Sequence, residues 1–257
     1  MTERPQDERI KQAAALFKRS QYAVAFSGAG ISTDSGIPDY RSPNSGLWQN
    51  VDPMTVVSIY GFRRNPQAFY DWVRPLTKTM LEAKPNPAHR ALVDLEKMGH
   101  LHAVITQNID GLHSRAGNRC VYELHGHFRE ATCTHCFAVY DGEIIVRQFM
   151  QDNCLPRCPK CQGIIKPNVI LYGEQLPVRE LQGAQQAARK CDLMIIVGSS
   201  LEVAPANSLP TLAKQFGAQL IIVNLESTFI DDMAEIVIHT RAAEVLPEIV
   251  HELEILL

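Results

Sequence analysis

The chain has 257 residues, of which 46% are hydrophobic and 21% are charged, and its formal net charge is −3. This composition is ordinary for a globular protein, and the small negative charge gives no reason to expect nucleic-acid binding. No apolar run approaches the roughly 18–20 residues that a membrane span needs, and residues 1–20 lack the apolar core of a secretion signal. We therefore predict a cytoplasmic protein, in which the seven cysteines are more readily metal ligands than disulfides.

Predicted helices and strands alternate along most of the chain. A helix at 7–20 precedes a strand at 22–26. Apolar runs of strand length follow at 102–106, 121–124, 168–172, 192–197 and 219–223, with helical patterns at 87–98, 177–190, 210–216 and 242–256. This alternation predicts an α/β fold with a Rossmann-like, doubly wound parallel sheet.

Two segments interrupt that alternation. Residues 46–84 are rich in aromatic side chains and mostly helical in pattern, and residues 129–166 contain most of the cysteines. We predict that both are insertions, which together form a small domain with a helical part and a metal-binding part. The main domain then consists of residues 1–45, 85–128 and 167–257, which the length of the chain allows.

A glycine-rich segment follows the first predicted strand. Gly28-Ala29-Gly30 allows the backbone to approach a phosphate closely, and the helix start after it offers free N–H groups to an anion. Thr33 occupies the place of the third glycine in the common dinucleotide-binding fingerprint. Pro38 disfavours helical geometry at Ile37, so a polar loop continues to Arg41. The segment predicts a nucleotide pocket that opens into this loop.

Polar residues stand at the ends of four later predicted strands. The carboxyl ends of parallel strands are where open α/β sheets bind ligands. Each group also has a structural alternative, either a helix cap or a histidine that is merely hydrogen-bonded in the core. Their common position on one rim favours a site. The groups are Gln107 to Asp110, His125, Gly198 to Ser200, and Asn224 to Glu226.

Two Cys-x-x-Cys knuckles lie about twenty residues apart, which is the spacing of a zinc ribbon. Four thiolates complete a tetrahedral site with no open position, so the zinc ion would be structural. Cys154 lies four residues before Cys158 and could replace it, but only Cys158 gives two matching knuckles. The predicted ligands are Cys133, Cys136, Cys158 and Cys161.

Taken together, these motifs resemble those of the sirtuins, the NAD-dependent protein deacylases. Residues 28–41 are similar to the NAD-binding signature of that family, and residues 106–113 to its nicotinamide-holding segment. His125-Gly126 is similar to the segment with the catalytic histidine, and the cysteine knuckles are similar to the zinc module. Residues 169–174 resemble the acyl-peptide loop. The motifs follow the order that the family has.

The resemblance implies a reaction. The acyl group of acyl-lysine would be transferred to ADP-ribose, with release of nicotinamide and 2′-O-acetyl-ADP-ribose. NAD would be the co-substrate, and one zinc ion would be structural. His125 would act as the general base through the ribose hydroxyls, for which a neutral imidazole near pH 7 is suited. Asn108 and Gln107 would order the ribose and a water. The partners would be acylated proteins or peptides, with no nucleic acid or membrane.

The resemblance also implies individual contacts. Asp110 and the backbone of Ile109 would bind the nicotinamide carboxamide. The implied NAD-binding residues are Gly28, Ala29, Gly30, Thr33, Asp39, Tyr40, Arg41, Gln107, Asn108, Ile109, Asp110, Gly198, Ser199, Ser200, Asn224, Leu225 and Glu226. The implied peptide-binding residues are His125, Val169, Leu171, Tyr172, Gly173, Glu174, Leu201 and Val203. Two positions depart mildly from the family pattern, since Tyr40 replaces the usual phenylalanine and Ser199 a common threonine.

The acyl preference follows from a second comparison with the family. Sirtuins that remove succinyl or malonyl groups carry Tyr-x-x-Arg after an Asn-Pro element. Here Tyr60 and Arg63 have that spacing but precede Asn65-Pro66, and Arg74 follows Tyr70 one residue too late. One residue turns a helical side chain by about 100°. We therefore predict an apolar pocket for acetyl and other uncharged acyl groups.

Three other functions compete with deacylation. Transfer of ADP-ribose to protein, or hydrolysis of NAD, would keep most of the same site. A nicotinamide oxidoreductase is disfavoured by the missing third glycine and by the lack of an acidic residue at the end of a second strand. A non-catalytic, NAD-sensing zinc-ribbon module would keep its function after the change His125→Ala, whereas a deacylase would lose it.

Overall fold

The computed structural model describes residues 5–39 and 52–257. Tyr40 and Arg41, both predicted to bind NAD, lie outside these ranges. The strands within them are β1 (Ala23–Ser27), β2 (Ala103–Thr106), β3 (Val121–Glu123), β4 (Gly126–Cys133), β5 (Val139–Asp141), β6 (Ile165–Val169), β7 (Leu193–Val197), β8 (Gln219–Val223) and β9 (Ile236–Ile238).

The same ranges contain two short 3-10 helices, at Ala29–Ser35 and Asp231–Met233. The α-helices are α1 (Pro5–Arg19), α2 (Pro53–Val56), α3 (Ile59–Arg64), α4 (Pro66–Glu82), α5 (Pro87–Lys97), α6 (Leu112–Ala116), α7 (Gly142–Asp152), α8 (Val178–Lys190), α9 (Ser208–Gln215) and α10 (Ala242–Leu256). None of the helices in the described ranges has the length and apolar character that crossing a membrane requires.

Six strands of the described ranges form a parallel sheet in the order β3-β2-β1-β7-β8-β9. The central strands β1 and β7 are buried along their whole length, which explains why they are nearly continuous apolar runs rather than alternating ones. The strand order changes direction between β1 and β7. Such a switch point leaves a crevice at the carboxyl ends of the strands, where ligands bind in open α/β sheets.

Helices cover both faces of the parallel sheet. Phe17 of α1, Leu92 of α5 and Leu246 of α10 share a core on one face. Ala184 of α8 and Leu209 of α9 belong to the core on the other face. The predicted α/β fold with a doubly wound parallel sheet is therefore confirmed.

A second, antiparallel sheet has the order β5-β4-β6. The strand predicted at 168–172 was wrong in both its bounds and its partner, because β6 ends at Val169 and pairs with β4. Pro167 lacks an N–H group, and β6 tolerates it as an edge strand. The apolar side chains of Val169 and Leu171 are buried instead in a core formed mainly by helices. The apolar content of residues 168–172 alone could not distinguish a strand buried in the parallel sheet from a segment packed against helices.

The strands β4, β5 and β9 were not predicted from the sequence. β9 has only three residues, which is too short for a periodicity to show. β4 is long but mostly polar, because its side chains are only partly buried in the small sheet.

The helices α3 and α4 share a core with α7. Phe69 and Tyr70 lie edge to face with ring centroids 5.4 Å apart, and Tyr70 also contacts Phe149. The Tyr70 hydroxyl donates a hydrogen bond of 2.7 Å to the Ile165 carbonyl of β6. The helical segment and the small antiparallel sheet are thus packed together beside the crevice.

Candidate active site

Three glycines bring the ends of β1 and β7 into direct contact. The Gly30 N–H donates to the Gly198 carbonyl at 2.8 Å. A Cβ at Gly28 would lie 2.8 Å from that carbonyl oxygen, and a Cβ at Gly30 would lie 2.8 Å from the Gly198 Cα. Gly198 itself has a φ of +57°, in the left-handed region. No side chain fits between the two backbones, so the wall of the crevice is main chain at this point.

A cavity of about 310 Å³ adjoins this contact. Its wall comes from the strand ends, from α4 and from the segment that follows β6. The predicted site residues in the wall are Gly28, Ala29, Gly30, Thr33, Asp39, Gln107, Asn108, Ile109, His125, Val169, Leu171, Tyr172, Gly173, Glu174, Gly198, Ser199, Ser200, Val203, Asn224, Leu225 and Glu226. Segments far apart in the sequence therefore converge on one cavity.

Among the predicted site residues that the structure describes, two lie outside the wall. The Leu201 side chain is only 1% exposed and packs in the core between the sheet and α8 and α9. The backbone of Leu201 is therefore the part that could meet a peptide, and its predicted role in peptide binding stays a prediction. Asp110 is not among the residues that line the cavity, and its carboxylate accepts hydrogen bonds from the Ser32 hydroxyl at 2.7 Å and the Leu112 N–H at 2.8 Å.

Ser32 connects Asp110 with Asn108. The Asn108 side-chain amide donates to the Ser32 hydroxyl at 3.2 Å and to the Gly28 carbonyl at 3.1 Å. Burial raises the pKa of Asp110, while the hydrogen bonds from Leu112 and Ser32 oppose that shift. Ser32 was not predicted, although a serine two residues after Gly-x-Gly was a signal that could have been used.

A buried chain of hydroxyl groups holds the backbone of Asn108. The Ser27 hydroxyl donates to the Thr106 hydroxyl oxygen at 2.9 Å, and the Asn108 N–H donates to that same oxygen at 3.1 Å. His113 Nε2 lies 2.8 Å from the Ser27 oxygen and is therefore the donor. Burial lowers the pKa of His113 to about 3, so this imidazole is neutral. Thr106 and His113 delimit the segment 106–113 that the resemblance assigns to nicotinamide, but no individual role was predicted for them or for Ser27.

His125 lies in the cavity wall with a defined tautomer. Its Nδ1 lies 3.0 Å from the Gln107 carbonyl, an acceptor, so Nδ1 carries the hydrogen and Nε2 keeps its lone pair. Burial lowers the pKa of His125, and the hydrogen bond to Gln107 opposes part of that shift. The Gln107 side chain in turn donates to the Ser199 hydroxyl at 2.9 Å. The site thus contains a neutral base whose ring orientation is fixed by a backbone atom.

One arm of the cavity is apolar. Phe69, Trp72, Val73 and Leu76 of α4 line it, and their spacing places them on one face of that helix. The sequence analysis predicted an apolar pocket but did not name these side chains, because helical spacing alone does not show which face meets a cavity.

Tyr70 and Arg74 point away from this arm. The Tyr70 hydroxyl is bound to Ile165, as described above, and the Arg74 guanidinium donates to the Met150 carbonyl at 2.7 Å and to Asn153 Oδ1 at 3.0 Å. Neither residue lines the cavity. The arm therefore has no arginine from α4 that could bind an acidic acyl group.

The segment after β6 forms a tight turn beside His125. The Ile170 N–H donates to the His125 carbonyl at 2.8 Å. Tyr172 forms an isolated parallel bridge with Ser58. The Tyr172 N–H donates to the Val57 carbonyl, and the Ile59 N–H donates to the Tyr172 carbonyl, both at 2.9 Å. The turn is thus fixed on one side to the end of β3 and on the other to the start of α3.

The edge of the cavity beyond β8 includes Thr240, Arg241 and Ala242, which were not predicted. They follow β9, a strand that was not predicted, and so they could not be recognised as residues at the end of a strand. Arg241 donates to Asp34 Oδ1 at 2.9 Å and so joins the start of α10 to the glycine-rich segment.

The four predicted zinc ligands form one cluster. Their Sγ atoms all lie within 4.8 Å of one another, and in the described residues they are the only such group of His, Cys, Asp or Glu. The Sγ atoms of Cys133 and Cys161 are 3.4 Å apart, near the roughly 3.8 Å edge of a zinc–thiolate tetrahedron. A Cβ on Gly163 would lie 3.0 Å from the Cys133 sulfur, so the knuckle also needs that glycine. The donor set fits a structural zinc ion, and Cys154 is not part of it.

Comparison with known proteins identifies the family. The model of the Sir2 family matches residues 28–205. A similar protein, the NAD-dependent protein deacylase 2 of Archaeoglobus fulgidus, is 48% identical over 249 residues, which are 96% of this chain and 97% of that protein. The chain belongs to the Sir2 family.

Solved Sir2 structures share this architecture. A Sir2 enzyme structure is 47% identical, has a TM-score of 0.92, and is matched over 98% of this chain and 100% of its own length. A Sir2 structure with a p53 peptide and NAD⁺ is 39% identical, has a TM-score of 0.88, and is matched over 96% of this chain and 99% of its own. The Sir2 fold therefore extends over almost the whole chain, including the small antiparallel sheet.

Proposed function

We propose that this protein is an NAD-dependent protein lysine deacetylase, which transfers the acyl group of acyl-lysine to ADP-ribose and releases nicotinamide and 2′-O-acetyl-ADP-ribose. The observation that carries the proposal is the position of His125. This neutral base lines the same cavity as the glycine-rich segment and the turn after β6. Acyl transfer to a nucleotide needs the base, the nucleotide and the peptide together. Membership of the Sir2 family, with its deacylase relative, supports the same reaction.

The strand ends supply a place for NAD. Main-chain atoms of Gly28 to Gly30 and Gly198 to Ser200 would hold the phosphates and the adenosine ribose. The glycines leave these main-chain atoms uncovered by side chains, and the two backbones approach each other too closely for a Cβ at Gly28 or Gly30. Asn224 and Glu226 stand at the end of β8, where a ribose hydroxyl could be bound. Asp110 is not a wall residue but is only partly buried, and each oxygen of its carboxylate accepts one hydrogen bond from the protein. Its remaining acceptor capacity would serve the nicotinamide carboxamide.

His125 would take a proton from a ribose hydroxyl. Its Nε2 has the lone pair that accepts this proton. The Gln107 carbonyl, which accepts the Nδ1–H, would stabilise the imidazolium that results. Asn108, held at both its backbone and its side chain, would order the ribose in the reactive position. The chain thus orients the ribose and accepts one proton, while NAD would supply the electrophilic sugar when it is bound.

The pH dependence of kcat/KM tests the state of His125. Burial lowers the pKa of His125 below its usual 6.5, and a general base acts only when it is deprotonated. The acidic limb of the pH profile should therefore be centred below pH 6.5. The measurement is kcat/KM with an acetyl-lysine peptide that has no other titrating group in this range. An acidic limb centred at or above pH 6.5 would contradict the assignment.

The apolar arm predicts the acyl preference. We expect kcat/KM for a succinyl-lysine peptide to be lower than for the acetyl form by about 10²-fold or more, because α4, which lines this arm in the described part of the chain, offers the succinyl carboxylate no cation. Butyryl-lysine is the matched control, since it equals succinyl-lysine in length but has no charge, and it should still be used. Desuccinylation as efficient as deacetylation would show that a cation reaches this arm.

The division into domains predicted from the sequence is part of the proposal. The separate antiparallel sheet, the cysteine cluster and the aromatic core around Tyr70 support a small domain made from the two insertions. We propose that its four cysteines bind one zinc ion that stabilises this domain without taking part in the reaction. We also propose a cytoplasmic location, which suits a chain in which none of the seven cysteines forms a disulfide.

Mass spectrometry of an acetyl-lysine peptide incubated with the protein tests the proposed function. Loss of the acetyl group only in the presence of NAD, with equal amounts of nicotinamide and O-acetyl-ADP-ribose, would support deacetylation. Consumption of NAD without a change in the peptide would favour ADP-ribosyl transfer or NAD hydrolysis. Binding of NAD with no reaction in the zinc-loaded protein would favour a sensing module.

A further inference from the structure

A largely buried lysine lies behind the turn that follows β6. The Lys166 side chain is only 13% exposed. Its Nζ lies 2.7 Å from the Val169 carbonyl, 3.2 Å from the Pro167 carbonyl and 3.0 Å from Glu174 Oε2. A lysine is rarely buried unless its charge is paired, and these three oxygens match the three donors of the ammonium group. Lys166 is not part of the cavity wall, so it is not placed to contact the substrate.

Glu174 closes the turn that Lys166 supports. Its N–H donates to the Leu171 carbonyl at 3.0 Å, and its Oε2 accepts the Leu171 N–H at 2.8 Å. Gly173, the third residue of the turn, has a φ of +86°, which favours glycine. The same carboxylate oxygen therefore holds both the first residue of the turn and the Lys166 ammonium.

The turn held in this way forms part of the cavity. Leu171, Tyr172, Gly173 and Glu174 all line the wall, and the preceding residue Ile170 is bonded to the His125 carbonyl. The contacts expected to hold NAD come from other segments, at the ends of β1, β2, β7 and β8. A change at Lys166 should therefore reach the peptide side of the cavity first.

We propose that Lys166 is a positioning residue for acyl-peptide binding, acting through Glu174 and the Val169 carbonyl to hold the turn at 171–174 in the shape that receives the peptide. This inference rests on the proposed deacetylase function. Without the ammonium group, the Glu174 carboxylate and the Val169 carbonyl lose a shared partner, and the turn becomes free to adopt other conformations. The peptide must then order the turn at the cost of its own affinity.

The test is the change Lys166→Met, which keeps the length and apolar stem of the side chain but removes its charge. We expect the KM for the acetyl-lysine peptide, and its Kd measured by fluorescence anisotropy without NAD, to rise about tenfold, which equals about 1.4 kcal/mol. The KM for NAD should change by less than about twofold, within the scatter of a neutral surface change. Lys166→Arg should restore most of the peptide affinity, because it returns a cation to Glu174.

Two further variants keep the test decisive. Lys214→Met is the matched control, because it breaks a similar ion pair, with Glu235 at 2.7 Å, away from the cavity, and it should leave both KM values unchanged. Glu174→Gln removes the other charge of the pair and replaces Lys166→Met if that variant does not fold. The double variant, with Lys166→Met and Glu174→Gln together, should weaken peptide binding by little more than either single change, because both changes remove the same ion pair.

The results distinguish the positioning role of Lys166 from the proposed deacetylase function. An unchanged peptide KM and Kd in a folded Lys166→Met protein would overturn the positioning role alone. An equal rise in the KM for NAD and for the peptide would also overturn it, because that pattern indicates general disruption. Failure of the unsubstituted protein to bind or deacetylate the peptide would overturn the proposed function and this inference with it.

Discussion

Replacing His125 by alanine should lower kcat/KM for the acetyl-lysine peptide by about 10²–10⁴-fold, which is the usual contribution of a positioned general base. His125 is a base in the cavity wall whose tautomer is fixed by Gln107. Alanine can neither accept the ribose proton nor occupy the space of the ring. The effect should appear in kcat, because the substitution leaves the main-chain contacts of the glycine-rich segment intact. The measurement is steady-state formation of nicotinamide and deacetylated peptide.

The matched control for His125→Ala is His251→Ala. His251 lies on α10, is exposed and is absent from the cavity wall, so its removal should leave the rate unchanged. Both variants should show the thermal unfolding midpoint of the unsubstituted protein within a few degrees, on the order of the shift that 1 kcal/mol causes. Deacetylation at an undiminished rate in folded His125→Ala would exclude His125 as the base of the reaction.

The change Cys158→Ser should abolish zinc binding and, with it, the activity. Structural zinc sites contribute about 10–16 kcal/mol of apparent binding free energy, which is folding free energy for the segment around them. Cys158 is buried, and its sulfur lies 3.5 Å from that of Cys136. Loss of this ligand should unfold the small antiparallel sheet, and β6 would no longer hold the turn beside His125. Zinc content by mass spectrometry should fall from about one ion per chain to near zero.

Cys154→Ser is the control for the zinc prediction. Cys154 is exposed, and its N–H donates to Asp152 Oδ1, outside the cluster of four sulfurs. This variant should keep both its zinc and its activity. Retention of zinc by Cys158→Ser together with its loss from Cys154→Ser would reverse the choice of ligand that the two matching knuckles indicated.

The sequence was most informative where a single residue type satisfies the local geometry. Gly28 and Gly30 could be recognised because their backbones approach that of Gly198 too closely for any Cβ. The cysteine knuckles were recognisable because their spacing determines which sulfurs can share one metal ion. The continuous apolar character of β1 and β7 also predicted the buried parallel sheet.

Other features depend on tertiary contacts that have no local pattern. The predicted strand at 168–172 was apolar because Val169 and Leu171 face a helical core, and nothing in that run showed which sheet its neighbours join. The burial of the Leu201 side chain in the core with α8 and α9 likewise depends on tertiary packing. The roles of Ser32 and His113 depend on side chains about eighty residues away, at Asp110 and Ser27.

The hydrogen bond from His125 to the Gln107 carbonyl has a consequence for mutational robustness. The partner that selects the tautomer is a main-chain oxygen, which every amino acid at position 107 would also provide. Point substitution can therefore alter what Gln107 contacts through its side chain, but it cannot delete the acceptor that orients the imidazole. A lineage that preserves the path of the backbone inherits the orientation of the base, and its sequence can vary around it.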